Sequence, residues 1–126
     1  MSAGIGGIYQ SLIGRIVAAG NKVFIDTPKE KILFADIDPL CAKLQKTMMG
    51  VGVGKGSRVL VQVEKSPEAV MLYLACLRMG AIFVPLNTGY TEAEVQYFFD
   101  NAEPDLCVCD PQNTASFENI AGGKPV

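Results

Sequence analysis

The feature that most constrains this chain is an alternation that begins at Arg58. Three short apolar runs, residues 58–63, 81–85 and 105–109, are separated by two segments with helical spacing and helical caps. Helices of ~10–15 residues between apolar strands imply right-handed crossovers, so the expected fold class is α/β with a parallel-sheet subdomain and flanking helices. The first connecting helix is opened by Ser66-Pro67-Glu68, which supplies a cap, a proline suited to the first turn and an acid at the positive end of the helix dipole; Gly80 stops it. The second opens on Thr91-Glu92-Ala93-Glu94, a capping box, and runs to about Asn101.

Upstream, Ile5, Ile8, Leu12, Ile16 and Ala19 recur at three- and four-residue spacing and predict a first helix, with Gly20-Asn21 as its stop. Residues 22–26 and 31–35 are β-branched and aromatic runs around the turn Thr27-Pro28-Lys29-Glu30, which predicts a small N-terminal β-hairpin. Asp38-Pro39 reads as the start of a second helix, with Leu40, Leu44, Thr47 and Met48 on its apolar face and Gly50 at its end. Residues 112–126 are polar and contain glycine, and are expected to form an irregular tail.

Composition narrows the function. With 126 residues and 49% hydrophobic residues the chain can build a packed core as one domain. A net charge of −2 without any Lys/Arg stripe gives nucleic acid no electrostatic footprint. Histidine is absent, which removes the usual general base and the commonest metal ligand. The longest apolar run, residues 69–77, is about half of the ~20 residues that a spanning helix needs, so no membrane segment is expected. Residues 1–7 have neither the basic start of a secretory signal nor Arg/Ser-rich amphipathic character. Cys41, Cys76, Cys107 and Cys109 are therefore expected to be reduced thiols in a cytoplasmic protein.

The candidate chemical motifs mostly reduce to structure. The run Gly50-Val51-Gly52-Val53-Gly54-Lys55-Gly56 has Gly56 where a phosphate loop needs Ser or Thr, and it leaves a helix to enter a strand, the opposite polarity to a phosphate cradle. Cys107 and Cys109 share one strand face but lack two further ligands at metal-site spacing. Glu64, Lys65, Asn87 and Thr88 fall just beyond the carboxyl ends of two expected parallel strands, where open α/β sheets bind ligands. The plainer reading of all four is as loop residues and cap supporters beside Ser66 and Thr91. Tyr73 and Tyr97 sit at core-compatible helix positions, and Glu92, Glu94 and Glu103 read as caps or a solvated face rather than a carboxylate pair. On residues alone there is no catalytic, cofactor-binding or metal residue to name.

A resemblance adds to this. Gly52-Val53-Gly54-Lys55-Gly56-Ser57-Arg58-Val59 resembles the "GV-x-x-GDRV" entry to a core strand of acyl-CoA synthetases in the adenylate-forming superfamily. Pro85-Leu86-Asn87-Thr88-Gly89-Tyr90-Thr91 resembles their "PLN-x-x-Y-T" segment, and residues 64–69, 72–81, 94–98, 100–104 and 108–111 continue the likeness. The combination is most similar to malonyl-CoA synthetases. Ser57 departs from the usual Asp, and Asn101 from an Asp-Ala-Glu-Pro pattern.

The resemblance implies that residues 1–126 are the N-terminal fragment of a large adenylation (AMP-binding) domain. Its parent would form an acyl-adenylate from ATP and a small, malonate-like carboxylic acid with Mg²⁺, then transfer the acyl group to CoA. The family's Ser/Thr/Gly-rich phosphate loop, Thr-Glu nucleotide motif, ribose-binding Asp and C-terminal Lys have no counterpart in this sequence. No catalytic residue is carried over, and the fragment alone is expected to be inactive. It is also expected to self-associate through apolar surface or a free sheet edge. The rival readings are a stand-alone interaction or scaffold module, and a small nucleotide-binding domain.

Overall fold

A computed structural model describes residues 7–126. Its elements are α1 (Gly7–Ala19), β1 (Val23–Asp26), β2 (Lys31–Leu33), α2 (Phe34–Gly50), β3 (Arg58–Gln62), α3 (Pro67–Met79), β4 (Ile82–Pro85), α4 (Glu92–Ala102), β5 (Leu106–Cys109), a 3₁₀ turn (Pro111–Asn113) and α5 (Thr114–Ala121). β1 and β2 form the antiparallel hairpin, and β3, β4 and β5 form a parallel sheet in the order β4-β3-β5. The α/β architecture expected from the alternation is the one observed.

Strand period two sorts the sheet's side chains onto two cores. Val59, Val61 and Leu106 face one side, where α2 and α3 supply Ile37, Cys41 and Met71 among others. Leu60 and Cys107 face the other side and meet Val95 of α4 and Phe117, Ile120 and Ala121 of α5. The sheet is therefore covered on both faces, which is why its central strand reads as a continuous apolar run.

The caps around α3 and α4 follow the local chemistry. Ser66 Oγ accepts from the Ala69 amide at 3.1 Å, and Pro67 takes the first helical position. Thr91 Oγ1 accepts from the Glu94 amide at 3.2 Å, while Glu94 Oε1 accepts from the Thr91 amide at 3.0 Å. Gly80 ends α3 at φ 79°, and a Cβ built there would lie 3.1 Å from Lys55 Cγ. Gly80→Ala is therefore expected to cost about 1–2 kcal/mol, chiefly the left-handed penalty for a residue with a Cβ. A urea midpoint equal to that of the parent would refute this account of the cap.

Besides the inward face of α2, which is made by Ile37, Cys41, Gln45 and Met48 while Leu40 and Thr47 are exposed, four expectations are corrected. First, α2 begins at Phe34 rather than at Asp38-Pro39, so Phe34 and Ala35 belong to the helix and not to the hairpin strand. Asp36 Oδ2 accepts from the Leu33 amide at 2.9 Å and closes the helix start one turn earlier. Pro39 lies inside the helix, where it removes the amide that would bond the Ala35 carbonyl. Second, residues 112–126 are not an irregular tail: α5 occupies Thr114–Ala121 and buries Phe117, Ile120 and Ala121 at i, i+3 and i+4. Third, Ile16 of α1 packs against the core as expected, but Tyr9 is the buried residue of that helix and Leu12 is exposed; Ile5 lies outside the described residues. Fourth, Tyr73 and Tyr97 pack edge-on against Phe83 and Phe98 but lie at the surface, 44% and 64% exposed, rather than within the core.

One sheet edge is covered by the chain and the other is blunted at its end. Amides of Ile82 and Leu86 donate inward to the carbonyls of Ser57 and Val61, so alternation turns the backbone of Phe83 and Pro85 outward. Proline has no amide to offer there. On the far side, the Cys107 amide donates to the Pro125 carbonyl at 3.0 Å, so the chain beyond α5 returns against the edge of β5.

Candidate functional site

The natural place for a ligand in such a sheet is the crevice beyond the carboxyl ends of its strands, at the point where successive connections leave to opposite faces. That point lies between β3 and β5, because α3 and α5 leave these two strands toward opposite sides. Residues 63–66, 86–90 and Asp110 surround it.

These residues are held by one another. Gln62 is buried, and its Nε2 donates to the Asn87 carbonyl at 2.9 Å and more distantly, at 3.5 Å, to that of Tyr90. Asn87 Oδ1 accepts from the Gly89 amide at 2.8 Å, which makes a local side-chain turn. Asp110 Oδ2 accepts from the Glu64 amide at 3.0 Å and ties the end of β5 to the end of β3. Tyr90 stacks on Phe98 with ring centroids 5.2 Å apart. Glu64, Lys65 and Thr88 are exposed. The structure thus gathers all four sequence-flagged residues at the strand ends, with Asn87 and the Glu64 amide serving loop geometry. Gln62 and Asp110 complete the cluster; a signal for Gln62 existed in its strand parity, which places a polar amide on the same face as Leu60.

The glycine run is closed to anions by its own bonding. Amides of Val51, Gly52 and Val53 donate to carbonyls of Met48 and Met49, Gly54 donates to Ser57 Oγ at 2.9 Å, and Gly56 donates to the Gly80 carbonyl at 2.8 Å. Ser57 thereby holds the loop through a side-chain oxygen at the position where the resembling family has Asp.

No described residue forms part of a group of three or more His, Cys, Asp or Glu side chains placed to hold a metal ion. All four cysteines are free. Burial pushes the thiols of Cys41, Cys76 and Cys107 up to about 11, and burial also raises that of Cys109. At neutral pH these are protonated thiols, the wrong state for attack or metal ligation. A thiol whose folded value is raised stabilises the fold fully below its unfolded value of 9.0, and that contribution disappears as pH rises through about 11. The urea midpoint is therefore expected to be level from pH 7 to 9 and to fall steeply from pH 9 to 11. A flat profile across that window would show the thiols to be solvated.

A second polar cluster lies away from the crevice. Asp38 Oδ1 accepts from Tyr9 Oη at 2.8 Å and from Arg78 Nε at 3.1 Å, and Arg78 Nη1 also donates to Gln45 Oε1. It joins α1, α2 and α3 behind the sheet, and desolvation together with the bond to Asp38 raises the Tyr9 phenol.

Residues 16–125 match the family model for AMP-binding enzymes. The chain belongs to that family. It is 31% identical over 113 residues to a 3-hydroxybenzoate/4-hydroxybenzoate–CoA ligase of Thauera aromatica, a match that covers 88% of this chain and 22% of that protein. The crystal structure of apo MatB from Rhodopseudomonas palustris superposes with a TM-score of 0.81 at 36% identity, covering 88% of this chain and 23% of MatB. The ATP-bound form of MatB superposes equally well, with a TM-score of 0.81. The chain thus spans less than a quarter of the length of these relatives. No described helix is long and apolar enough to cross a membrane.

Proposed function

We propose that this chain is the N-terminal sheet layer of a cytoplasmic AMP-forming acid–thiol ligase of the malonyl-CoA synthetase kind, and that it scaffolds the active site without turning over alone. The observation that carries this reading is the 36% identity to MatB over 88% of the chain at a TM-score of 0.81, added to the malonyl-CoA-synthetase-like segments. In this reading the whole enzyme joins a small dicarboxylic acid to ATP with release of pyrophosphate, in the presence of Mg²⁺, and the CoA thiol then displaces AMP.

ATP and Mg²⁺ do not fit a site made from the described residues. The amides of residues 51–54 and 56 donate to Met48, Met49, Ser57 and Gly80, and at the strand ends Gln62, Asn87 and Asp110 serve loop geometry. The contribution of these residues is rigidity. They fix the ends of β3, β4 and β5 relative to one another, which a ligase needs because misplacement by about 1 Å can cost ~10²-fold in rate.

Calorimetric titration of the 126-residue chain with Mg-ATP is expected to give no binding heat; saturable binding would instead support an autonomous nucleotide-binding domain. The decisive test replaces the matching first quarter of MatB by this chain and follows malonate-dependent pyrophosphate release. A folded chimera that retains activity supports the scaffold reading, and a folded but inactive one refutes it. Comparing malonate with 3-hydroxybenzoate on the whole gene product tests the acid preference. The same reading leaves surface of this layer uncovered in the isolated chain, and self-association follows from it, to be read by sedimentation.

A further inference from the structure

The charges of this chain are segregated. Residues 64–126 hold nine of its thirteen Asp and Glu residues but three of its eleven Lys and Arg residues. The fold carries part of this to opposite sides of the sheet, although Glu30 and Glu68 line the groove beside Lys43. α2 lies on one side of the sheet with Lys43 and Lys46 exposed on its outer face. α4 lies on the other side and carries Glu92, Glu94 and Asp100 with no Lys or Arg.

Each surface also offers apolar contact. Tyr97, 64% exposed, stands between Glu94 and Asp100 at i−3 and i+3 on the outer face of α4. Leu40 and Met49, three residues from Lys43 and Lys46 respectively, are exposed on α2. Among the described residues neither lysine, nor Glu94 or Asp100, takes part in an ion pair. Glu94 and Asp100 each use one carboxylate oxygen locally, for the Thr91 amide and for Gln96 Nε2. An exposed tyrosine flanked by two carboxylates suits an ammonium group, through its ring and through the acids.

We propose that copies of this chain associate head to tail, the Lys43/Lys46 face of α2 in one copy docking on the Tyr97 face of α4 in the next. This rests on the self-association that follows from the proposed ligase-layer reading, and its failure would leave that reading to the chimera test. It assigns that association to two complementary faces rather than to the sheet edges, one blunted at Pro85 and the other bonded to the Pro125 carbonyl. Because the two faces differ and lie on opposite sides of the sheet, the contact is heterologous. Such a contact does not close at a dimer, and the assembly grows with concentration.

Sedimentation velocity of the 126-residue chain is the test, with two charge-exchanged variants, K43E/K46E and E94K/D100K. For the parent chain the mass-average is expected to rise with concentration at low salt and to return to monomer at about 1 M salt, where the Debye length is about 3 Å. Each variant alone presents like charges on both faces and should lose about tenfold or more in association constant, the equivalent of about 1.4 kcal/mol. An equimolar mixture of the two restores both contacts and should associate again. Should either double variant melt early, K46E and D100K carry the same comparison. Variants that associate like the parent would overturn the assignment of faces while leaving self-association intact. A parent that stays monomeric at every concentration overturns both.

Discussion

Phe117→Ala is expected to destabilise the chain by about 3–5 kcal/mol, the range for truncating a buried aromatic to alanine. Phe117 is 2% exposed, and with Ile120 and Ala121 it packs beneath α5 against Leu60, Cys107 and Val95. Without its ring the α4–α5 side of the sheet keeps a cavity that the short helix α5 cannot collapse to fill. A domain of this size holds about 5–15 kcal/mol in total, so the variant should be partly unfolded at 37 °C. The measurement is a urea titration followed by far-UV circular dichroism, with Phe117→Leu as the control. The leucine variant keeps most of the volume and should lose far less. A loss below about 1 kcal/mol for the alanine variant would mean that α5 is not part of the cooperative core.

Arg78→Ala is expected to cost about 2–3 kcal/mol, more than an exposed ion pair contributes. Arg78 is 16% exposed at its side chain and serves both Asp38 and Gln45 on α2, while Asp38 also receives the Tyr9 hydroxyl from α1. Asp38 is itself 42% exposed, so water replaces part of what it loses and the cost stays below that of a fully buried pair. Arg78→Met keeps the aliphatic stem and separates packing from charge. In a double-mutant cycle, Asp38→Ala with Arg78→Ala should show a coupling of about 1–2 kcal/mol. Additivity of the two losses would reduce the cluster to a coincidence of neighbours.

Where sequence and fold agree, local chemistry was sufficient. Ser66-Pro67 and Gly80 bound α3 at the residues expected, and Thr91 with Glu94 opens α4 by the box that their spacing announces. Arg58 to Gln62 is a central strand because every one of its apolar positions faces one core or the other. Where they disagree, tertiary contacts outweighed a local signal. Asp38 has the chemistry of a cap, but Arg78 and Tyr9 take its carboxylate, and Asp36 starts the helix instead. α5 is short and carries Thr, Ser and Asn among its apolar residues, so its stability comes from the Leu60 side of the sheet rather than from helix propensity.

The candidate site divides in the same way. Glu64, Lys65, Asn87 and Thr88 are readable as strand-end residues because strand polarity is readable. The bond of the Glu64 amide to Asp110 depends on β5 lying beside β3, and that of Gln62 to the Asn87 carbonyl on β4 lying beside β3, which no short stretch of sequence encodes. Family membership was legible from the segments around Arg58 and Pro85, and residues 16–125 match the family model.

The order of the sheet has a consequence for synthesis. β3 is central but leaves the ribosome before either neighbour, and its Leu60 face is fully covered only after α4 brings Val95 and α5 brings Phe117. At about 5–20 residues per second the interval between Leu60 and Phe117 lasts roughly 3–11 s. Until Phe117 arrives the Leu60 side of the sheet keeps part of its apolar surface bare, a natural target for a holding chaperone and a point at which slowed translation would favour misfolding.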